Sequence, residues 1–493
     1  MPTLKTRFKQ LGKDSIVYGL GGMVARATGF ILLPLYTHYF SPADYGTIET
    51  LNIVVSFLGA VLVFGMDSAQ SFFFFQQREN GRESQAIVVS SILQFRLIWG
   101  ALIVVISMLL SPLLNYYFFE GQLSWEYFAA AFLGAIFTQL ASQSAEVYRL
   151  LYRPWPYIAI TIGNALISAF AAVALISWID WGIYGYFVGS GIGSLVAALA
   201  GWWSIRDYLD WSKLHNDWWP RLVRFGAPFI PVALGMYVLN TADRWFIIHY
   251  KDQTTLGIYA VADKFAMILV LLVTTFRQAW WPIAMDAVHS SDGPALLRMM
   301  SRLYLGIGSI GVVVLTAISP LLVRWLAAPD YYSAYTLIGV LALQPLNYGL
   351  QLIIGIGIWK AEKTIWSPVS LGMAAVINIA LAFWLVPLYG GMGSAITAAL
   401  SYFVWNAITL VIGEKFWYVG YSYWIFCAQI VTAILAMIGI TLVSQVHNNW
   451  AVFLISIVSS LFILMITIKR SQIDWVLSEI KKRKILQTGG DND

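Results

Sequence analysis

The chain has 493 residues, of which 59% are hydrophobic and 11% are charged, with a formal net charge of +5. Soluble proteins carry about a quarter charged residues, so this composition excludes a soluble globular protein and predicts one that lies in a membrane. Loops that meet anionic lipid account for the pI near 9.0, which therefore does not indicate a nucleic-acid partner. The single cysteine, Cys427, excludes an internal disulfide and gives no support to metal or thiol chemistry.

Apolar stretches long enough to cross the hydrocarbon core, roughly 20 residues each, follow one another along nearly the whole chain. We predict an all-α polytopic membrane protein with about fourteen transmembrane helices. The alternating strands of about ten residues that build an outer-membrane barrel do not match these continuous apolar stretches. The predicted spans 1 to 14 cover residues 14–38, 46–72, 85–111, 123–148, 156–178, 182–204, 221–249, 256–284, 295–318, 332–358, 365–387, 391–412, 421–443 and 450–468.

Lysine and arginine are concentrated in alternate loops and near both ends of the chain, whereas the opposite loops hold only Lys251 and Arg324. Positively charged loops stay on the cytoplasmic side, so we predict that both termini are cytoplasmic. An even number of spans agrees with this orientation. The first apolar run is too long for a removable signal peptide and lacks a small-residue cleavage site.

The two halves of the sequence resemble each other. Placing Gly46 over Gly257 without a gap superposes span 1 on span 7 and span 2 on span 8, and it also matches His38-Tyr39 with His249-Tyr250. Further along, the turn Gly182–Gly185 falls near Gly390–Gly393. Each half then has six helices, an even number, so we predict a parallel pseudo-two-fold repeat of two six-helix lobes with a central cavity.

This repeat predicts five segments along the chain. They are an N-lobe of spans 1 to 6 at residues 1–205, a cytoplasmic linker at 206–219, a C-lobe of spans 7 to 12 at 220–418, spans 13 and 14 at 419–470, and a cytoplasmic basic tail at 471–493. A helix on the membrane surface and a solvated tail that helps to set the topology both fit the last segment. We favour the solvated tail.

Five basic residues lie inside the predicted spans: Arg26, Arg96, Arg244, Lys264 and Arg277. A charge that faces lipid at mid-membrane costs about 2.5–3.5 kcal/mol. Five would cost roughly 12–18 kcal/mol, which is comparable with the net stability of a whole domain. We therefore expect them to face an aqueous interior that handles an anion. The sequence shows no acidic partner for Arg96, and we assign it no role.

Helical spacing predicts which polar residues share a face. At about 3.6 residues per turn, Glu49 and Asp67 fall on one side of span 2, and Gln139, Gln143 and Glu146 fall on one side of span 4. Polar residues between membrane helices also act as interhelical contacts, worth about 0.6 kcal/mol on average. For Gln139 we weigh that role and cavity lining equally.

Span 8 carries three charged residues of interest. Asp263 and Arg277 lie within about 60° of each other at 100° per residue. Lys264 lies about 140° from Arg277, so both line one cavity only if span 8 bends or if they serve different walls.

The candidate charges and polar groups form two sets. We predict substrate binding by Arg26, Arg244, Lys264, Arg277, Asn240, Gln139 and Gln143, and coupling or cavity charges at Glu49, Asp67, Asp243, Asp263 and Glu146. Asp243 beside Arg244, and Asp263 beside Lys264, would alternatively be ion pairs that neutralise each other across neighbouring helices. We favour the cavity, because charge is rarely retained within the membrane for packing alone.

One part of the sequence resembles a known family. Asp14–Gly19, Arg26 and Leu33–Tyr36 are similar to the first span of bacterial polysaccharide repeat-unit flippases, the Wzx-type transporters, and Ser41–Gly46 resembles their first outer turn. The predicted architecture also matches along nearly the whole chain. This family belongs to the superfamily of multidrug, oligosaccharidyl-lipid and polysaccharide exporters.

The resemblance implies that an undecaprenyl-diphosphate-linked oligosaccharide moves from the cytoplasmic to the outer leaflet of the bacterial inner membrane. It implies that the diphosphate meets basic residues in the cavity, and that rocking lobes give alternating access. Arg26 matches an arginine often found in the family's first span, whereas Arg244, Lys264 and Arg277 carry over only as basic residues of spans 7 and 8. The implied partners are the glycan lipid, membrane lipids, and the polymerase and glycosyltransferases of the same pathway.

We predict no resident cofactor, and the absence of a Walker loop argues against ATP hydrolysis. An inside-negative potential favours outward movement of an anion by about 2.3 kcal/mol per charge per 100 mV. Exchange of H⁺ or Na⁺ at Asp67, Asp263 or Glu49 is the alternative. Two rival functions are a cation-coupled multidrug exporter of the same superfamily and a membrane-embedded glycan ligase or polymerase. The basic residues inside the spans argue against the multidrug exporter. The internal repeat and the lack of a long loop argue against the glycan ligase or polymerase.

Overall fold

A computed structural model describes residue 24 and residues 28–468, apart from residues 213, 364 and 447. Helices are the regular elements of this part of the chain. The α-helices are α1 Leu33–Tyr39, α2 Pro42–Val63, α3 Met66–Gln76, α4 Arg82–Phe119, α5 Trp125–Leu150, α6 Pro154–Ser177, α7 Gly182–Ser204, α8 Trp219–Gly226, α9 Ile230–Tyr250, α10 Gln253–His289, α11 Gly293–Leu326, α12 Tyr335–Ile354, α13 Ile356–Lys360, α14 Trp366–Phe416, α15 Tyr423–Gln445 and α16 Asn449–Thr467. Short 3₁₀ helices lie at Arg206–Tyr208, Asn216–Trp218, Ala227–Phe229 and Pro329–Ala334.

Within the described residues, 11 helical segments are long and apolar enough to cross a membrane. They cover predicted spans 2 to 6 and 8 to 14, because α14 contains both span 11 and span 12. Span 7 is divided between α8 and α9, and most of span 1 falls outside the described residues. The prediction of an all-α polytopic membrane protein is confirmed, while the total of fourteen spans stays a prediction.

Helix α14 is two helices joined by a tight turn at Gly390, whose φ of 56° and ψ of −130° are not helical. A Cβ atom on Gly393 would lie 2.1 Å from the carbonyl oxygen of Leu385. Residues this far apart on a straight helix would be separated by about 12 Å. The chain therefore folds back here, as it does before α7, where Gly182 also has a positive φ of 51°.

The helix predicted for span 2 is interrupted. Phe64 and Gly65 have left-handed backbone angles, with φ of 46° and 67°, and they separate α2 from α3. Because left-handed residues redirect the chain, the spacing between Glu49 and Asp67 no longer measures rotation about one axis. The expectation that both share one continuous helical face is therefore wrong. A Cβ on Gly65 would lie 2.2 Å from the carbonyl oxygen of Gly226, so glycine is required at the break.

The chain divides into two compact units. Unit 1 comprises Met1–Phe265, Arg324–Ala334 and Ala375–Ala398. Unit 2 comprises Ala266–Val323, Tyr335–Ala374 and Ala399–Asp493. The predicted lobes at residues 1–205 and 220–418 follow the sequence repeat, and those boundaries stay a prediction.

In unit 1 the predicted linker, residues 206–219, packs along α4. The backbone N–H of Asp210 donates to Ser90 Oγ at 2.6 Å, and the backbone N–H of His215 donates to Gln94 Oε1 at 2.8 Å. Leu222, which follows in α8, is fully buried in a hydrophobic cluster with residues of α3 and α4. These contacts fix the linker to α4, and they fix the start of α8 to α3 and α4.

In unit 2 polar side chains join α12 to the second half of α14. Asn406 Nδ2 donates to Asn347 Oδ1 at 3.0 Å, and Gln351 Nε2 donates to Thr409 Oγ1 at 2.9 Å. Asn347 and Asn406 are both buried. They act as interhelical contacts and not as the lining of an open path.

Candidate functional site

The intramembrane charges of unit 1 are centred on Arg244 of α9. Arg244 Nη2 donates to Asp263 Oδ2 of α10 at 2.7 Å, and Arg244 Nε lies 3.4 Å from Glu49 Oε1 of α2. Glu49 is 7% exposed, so the group is largely withdrawn from solvent. One guanidinium thus faces two carboxylates, and its charge is already compensated within the protein.

Lys264 differs from Arg244, although both were predicted to meet an anion. It interacts electrostatically with Glu49 and Tyr186. Among the described residues it has no hydrogen bond and no ion pair. The Arg244–Asp263 contact is an ion pair between neighbouring helices, which is the alternative that the sequence left open for these charges. An ammonium is a compact charge with three donors, so Lys264 keeps its capacity to bind an anion.

Asp243 lies beside Arg244 in the sequence but takes a different partner. The Tyr259 hydroxyl donates to Asp243 Oδ2, and Ser394 Oγ donates to the Asp243 carbonyl oxygen at 3.1 Å. Within the described part of the chain, Asp243 Oδ1 is buried and accepts no hydrogen bond. The Asp243 carboxylate therefore joins α9 to α10, and the Asp243 backbone carbonyl joins α9 to α14.

Arg96, for which the sequence offered no acidic partner, pairs with Asp67. Its Nη2 lies 2.5 Å from Asp67 Oδ1, and its Nη1 donates to the Gln139 carbonyl oxygen at 3.1 Å. Asp67 begins α3 just after the break at Gly65. The redirected chain brings this carboxylate to α4, which the pattern of a continuous helix did not predict.

Two glycines bring α2 and α10 into backbone contact. A Cβ on Gly46 would lie 1.8 Å from the Gln253 carbonyl oxygen, and one on Gly257 would lie 1.9 Å from the Pro42 carbonyl oxygen. The alignment that places Gly46 over Gly257 also places Pro42 over Gln253. The contact is reciprocal, as an internal two-fold repeat would produce, and it lies one turn from Glu49.

A cavity of about 410 Å³ lies in unit 1 between α2, α5 and α7. Its other lining residues are small or apolar, and none of the described lining residues is charged. The polar side chains in its wall are Asn52, Ser56, Thr138, Gln139, Tyr186 and Ser190. The cavity therefore offers neutral hydrogen-bonding groups beside apolar walls.

Three other residues predicted to belong to the site make local or interhelical contacts. Gln143 is 1% exposed and donates through Nε2 to the Val89 carbonyl oxygen, which makes it an interhelical contact in this conformation. Glu146 pairs with Arg149 at 2.5 Å near the end of α5. Asn240 donates within its own helix, to the Met236 carbonyl oxygen at 2.7 Å.

Two further cations were predicted to bind the substrate, Arg277 and Arg26. Arg277 is exposed, belongs to unit 2, and has no ion pair or hydrogen bond with any described residue. Arg26 lies outside the described residues. Their roles stay proposals.

Sequence reasoning missed Tyr259 and Tyr186, because tyrosine is ordinary in membrane helices and carries no charge. A signal was present in each case. Tyr259 precedes Asp263 by one helical turn, and Tyr186 precedes Ser190 in the same way, so each extends a polar face.

The fold is shared with solved transporters. The lipid II flippase MurJ in an inward closed conformation matches with a TM-score of 0.72 and 15% identity, covering 92% of this chain and 98% of that one. A multidrug resistance MATE family transporter of the MOP superfamily, in an inward-facing conformation, matches with a TM-score of 0.62 and 13% identity, covering 81% and 97%. The chain therefore has a MurJ- and MATE-like fold.

Sequence comparison gives the family. "Lsg locus putative protein 1" of Haemophilus influenzae is 21% identical over 281 residues, which span 56% of this chain and 66% of that protein. An "Uncharacterized membrane protein" of the same organism is 20% identical over 299 residues, 59% of this chain and 68% of that one. The family described as "Polysaccharide biosynthesis protein" matches residues 11–287, more than half of the chain. The resemblance found in residues 14–46 is thereby confirmed, and the chain belongs to the polysaccharide biosynthesis protein family.

Proposed function

We propose that this protein moves an undecaprenyl-diphosphate-linked oligosaccharide from the cytoplasmic to the outer leaflet of the bacterial inner membrane. Membership of a polysaccharide biosynthesis family and a fold shared with a lipid II flippase both support this activity. The activity is transport by alternating access, with no covalent bond made or broken. The proposal puts both termini in the cytoplasm, which the positive-inside distribution of Lys and Arg supports.

The observation that carries the proposal is the contrast between Arg244 and Lys264. Glu49 and Asp263 compensate Arg244, whereas Lys264 has no paired carboxylate among the described residues. A diphosphate is bound by charge-assisted hydrogen bonds, and an unpaired ammonium inside a membrane span supplies them. Arg277, also without a described partner, is a second candidate contact on unit 2.

The driving force follows from the charge of the substrate. An inside-negative potential favours outward movement of the anionic diphosphate by about 2.3 kcal/mol per charge per 100 mV. Exchange with H⁺ or Na⁺ at Glu49, Asp67 or Asp263 is the alternative, since these acids lie within the spans. Transport in vesicles under separately imposed potential, pH and sodium gradients distinguishes them, and a response to potential alone would remove ion exchange.

A second candidate function, cation-coupled drug export, is favoured by one observation. Glu49, Asp243 and Asp263 outnumber Arg244 and Lys264 in the same region of unit 1. An acidic excess suits a cationic cargo better than an anionic one. Efflux of the cationic dye ethidium from proteoliposomes tests it, and we expect none.

The direct test is leaflet transfer of a fluorescent isoprenyl diphosphate carrying a sugar, in proteoliposomes of the purified full chain. Bleaching by dithionite added outside reports the outer-leaflet fraction. We expect transfer by the wild type and a loss of at least about tenfold in Lys264→Gln, the loss expected when one charged contact is removed. Arg277→Gln tests the second contact, and Lys251→Gln, in a loop that the charge pattern predicts to be on the outer side, is the matched control. Transfer at the wild-type rate in Lys264→Gln would falsify the assignment of the phosphate contact.

A further inference from the structure

The linker at residues 206–219 and the helix α8 that follows it form a basic and aromatic surface on unit 1. The guanidinium of Arg206 lies over the Trp203 ring, 4.8 Å from its centre, and the guanidinium of Arg221 lies 5.2 Å from the centre of the Trp218 ring. An aromatic face holds a guanidinium in place and leaves its outward N–H groups available. Both arginines are exposed, and neither has a carboxylate partner among the described residues.

The acids of the linker are largely engaged with other groups. The Asp207 carboxylate pairs with Arg82 of α4 at 2.7 Å. The Asp210 carboxylate accepts hydrogen bonds from the Ser212 hydroxyl at 2.6 Å and from the Ser212 backbone N–H at 2.9 Å. The third acid, Asp217, is exposed. Two of the three carboxylates are thus compensated within the linker and α4, and the two arginines over aromatic rings keep their charge for an external anion.

Both ends of the linker pack on the last turn of α3, which makes this one continuous surface. The ring centre of Tyr208 lies 6.1 Å from that of Phe74, and the ring centre of Trp218 lies 5.7 Å from that of Phe73. Phe73 and Phe74 are consecutive residues. These ring contacts add to the hydrogen bonds that fix the linker to α4, so the arginines are carried by a docked segment.

The surface begins where two membrane-spanning helices have their ends. Helix α7 is long and apolar enough to cross a membrane and ends at Ser204, and α6, which packs along it, begins at Pro154. Large apolar side chains are uncovered here, since Trp203 is 70% exposed, Trp155 71% and Trp211 57%. Tryptophan concentrates at the boundary between hydrocarbon and headgroups. The surface therefore lies at the level of lipid headgroups.

We propose that this surface binds the headgroups of anionic phospholipids in the leaflet that the charge pattern predicts to be cytoplasmic, with lipid phosphates at Arg206 and Arg221. A phosphate accepts charge-assisted hydrogen bonds from a guanidinium, while the exposed indole rings contact the lipid beside it. A zwitterionic phospholipid brings its own cation and matches two uncompensated arginines less well. A soluble acidic partner would match the arginines but would leave the tryptophans at the membrane boundary without a role. Lipid binding ties the linker to the membrane surface, whichever substrate the protein moves.

The test compares the binding of dioleoyl phosphatidylglycerol and dioleoyl phosphatidylcholine to the purified full chain, measured by native mass spectrometry. A basic residue near an anionic lipid surface contributes about 1 kcal/mol, which is about fivefold in affinity. We therefore expect the wild type to prefer phosphatidylglycerol about 25-fold for the most tightly bound lipid. Arg206→Gln and Arg221→Gln should each reduce that preference about fivefold. Arg78→Gln is the matched control, because Arg78 is exposed just after α3 but lies over no described aromatic ring, and it should keep the wild-type preference.

Four results would overturn the proposal. The first two are equal binding of both lipids by the wild type, and an unchanged preference in both Arg206→Gln and Arg221→Gln. The third is an equal loss in Arg78→Gln, which would assign the preference to diffuse surface charge. The fourth is displacement of phosphatidylglycerol by an equimolar amount of inorganic phosphate or undecaprenyl diphosphate, which would assign the surface to a soluble anion or to the transported lipid. If either variant fails to fold, as judged by size-exclusion chromatography, Trp203→Leu takes its place: it removes the ring under Arg206 and should lower the preference, and a wild-type preference there would contradict the proposal.

Discussion

Arg96 and Asp67 form an ion pair whose two members differ greatly in exposure. The Arg96 side chain is 2% exposed, whereas the Asp67 side chain is 48% exposed. Arg96 also has a buried Nε atom without a hydrogen-bond acceptor among the described residues. The guanidinium therefore depends on Asp67 for its charge balance, whereas the protein leaves about half of the Asp67 side chain uncovered.

This asymmetry predicts unequal effects of the two single substitutions. Asp67→Ala leaves a buried guanidinium uncompensated, and we expect a loss of about 3–5 kcal/mol in the free energy of unfolding. Arg96→Met removes the buried charge and leaves only the half-exposed Asp67 carboxylate, so we expect a loss below about 1.5 kcal/mol. The unfolding temperature of the purified protein in detergent measures both.

The double variant supplies the control. Asp67→Ala combined with Arg96→Met should be more stable than Asp67→Ala alone, because no charge is then left unpaired. Equal losses in the two single variants would show that Asp67 is as dependent on the pair as Arg96.

Hydropathy and charge in the sequence located almost every helix, because membrane spans must be apolar and about 20 residues long. The same patterns did not locate the break at Phe64–Gly65. No proline marks it, and a glycine beside aromatic residues is common in membrane helices. The left-handed angles are fixed by close packing against Gly226, which is a tertiary contact.

The sequence predicted which charged residues belong to the candidate site, but it did not predict which of them form ion pairs. The sequence identified Glu49, Arg244, Asp263 and Lys264 as intramembrane charges. It did not show that Asp263 pairs with Arg244 and leaves Lys264 without a described partner. Helical phase gives directions around one axis, whereas pairing depends on how close the neighbouring helices come.

The crossing of α2 and α10 predicts a strict requirement for glycine. Gly46→Ala and Gly257→Ala each place a Cβ less than 2 Å from a backbone oxygen, at 1.8 and 1.9 Å. We expect each to destabilise the protein by about 1–3 kcal/mol, as overpacking does, measured by thermal unfolding in detergent. Gly235→Ala is the control, since its Cβ meets nothing within 4 Å. It should be neutral or stabilising by up to about 1 kcal/mol, from helix propensity.

The connection between α14 and α15 depends on Glu414. Its carboxylate accepts backbone hydrogen bonds from Val419 at 3.3 Å, Gly420 at 2.9 Å and Tyr421 at 3.3 Å. Hydrogen bonds to charged groups contribute about 1.5–3 kcal/mol. We expect Glu414→Ala to lower the unfolding temperature clearly and Glu414→Gln to lower it less. Lys415→Ala changes the neighbouring exposed residue, and an equal effect there would contradict a specific role for the carboxylate.

The linker carries a carboxylate whose titration is linked to docking. Hydrogen bonds from the Ser212 hydroxyl at 2.6 Å and the Ser212 backbone N–H at 2.9 Å lower the pKa of Asp210, and nearby His215 lowers it further. A lowered pKa gives stability that is complete above the unfolded value of about 3.9. That stability is lost as the pH falls through the folded pKa.

We expect hydrogen exchange of residues 206–219 to accelerate below about pH 3.9 in the wild type. Asp210→Asn should exchange faster at neutral pH and show no such acid step. Asp217→Asn, at an exposed position in the same linker, should keep the wild-type profile. An acid step that persists in Asp210→Asn would assign the titration to another group.

Substitutions of Arg244 and of Lys264 should have different effects in cells. The first should lower the amount of the protein in the membrane, and the second should stop transport. Arg244→Ala removes the ion-pair partner of both Glu49 and Asp263, and we expect a loss of about 3–5 kcal/mol in stability, as for a broken buried pair. The level of the protein in the membrane should therefore fall. Adding Glu49→Gln and Asp263→Asn removes the uncompensated charges and should restore that level.

Lys264→Gln removes a cation that no described carboxylate pairs with, so the protein should reach the membrane at the wild-type level. Surface polysaccharide should nevertheless be lost, because the diphosphate loses its contact. Immunoblotting of the membrane fraction and quantification of surface polysaccharide in the same cells separate the two effects. If Lys264→Gln lowers the protein level as much as Arg244→Ala does, Lys264 supports the fold and the phosphate contact must be sought elsewhere. A normal level of the protein with normal surface polysaccharide would show that Lys264 is not in the transport path. A normal level of the protein without surface polysaccharide is the outcome that the unpaired charge of Lys264 predicts.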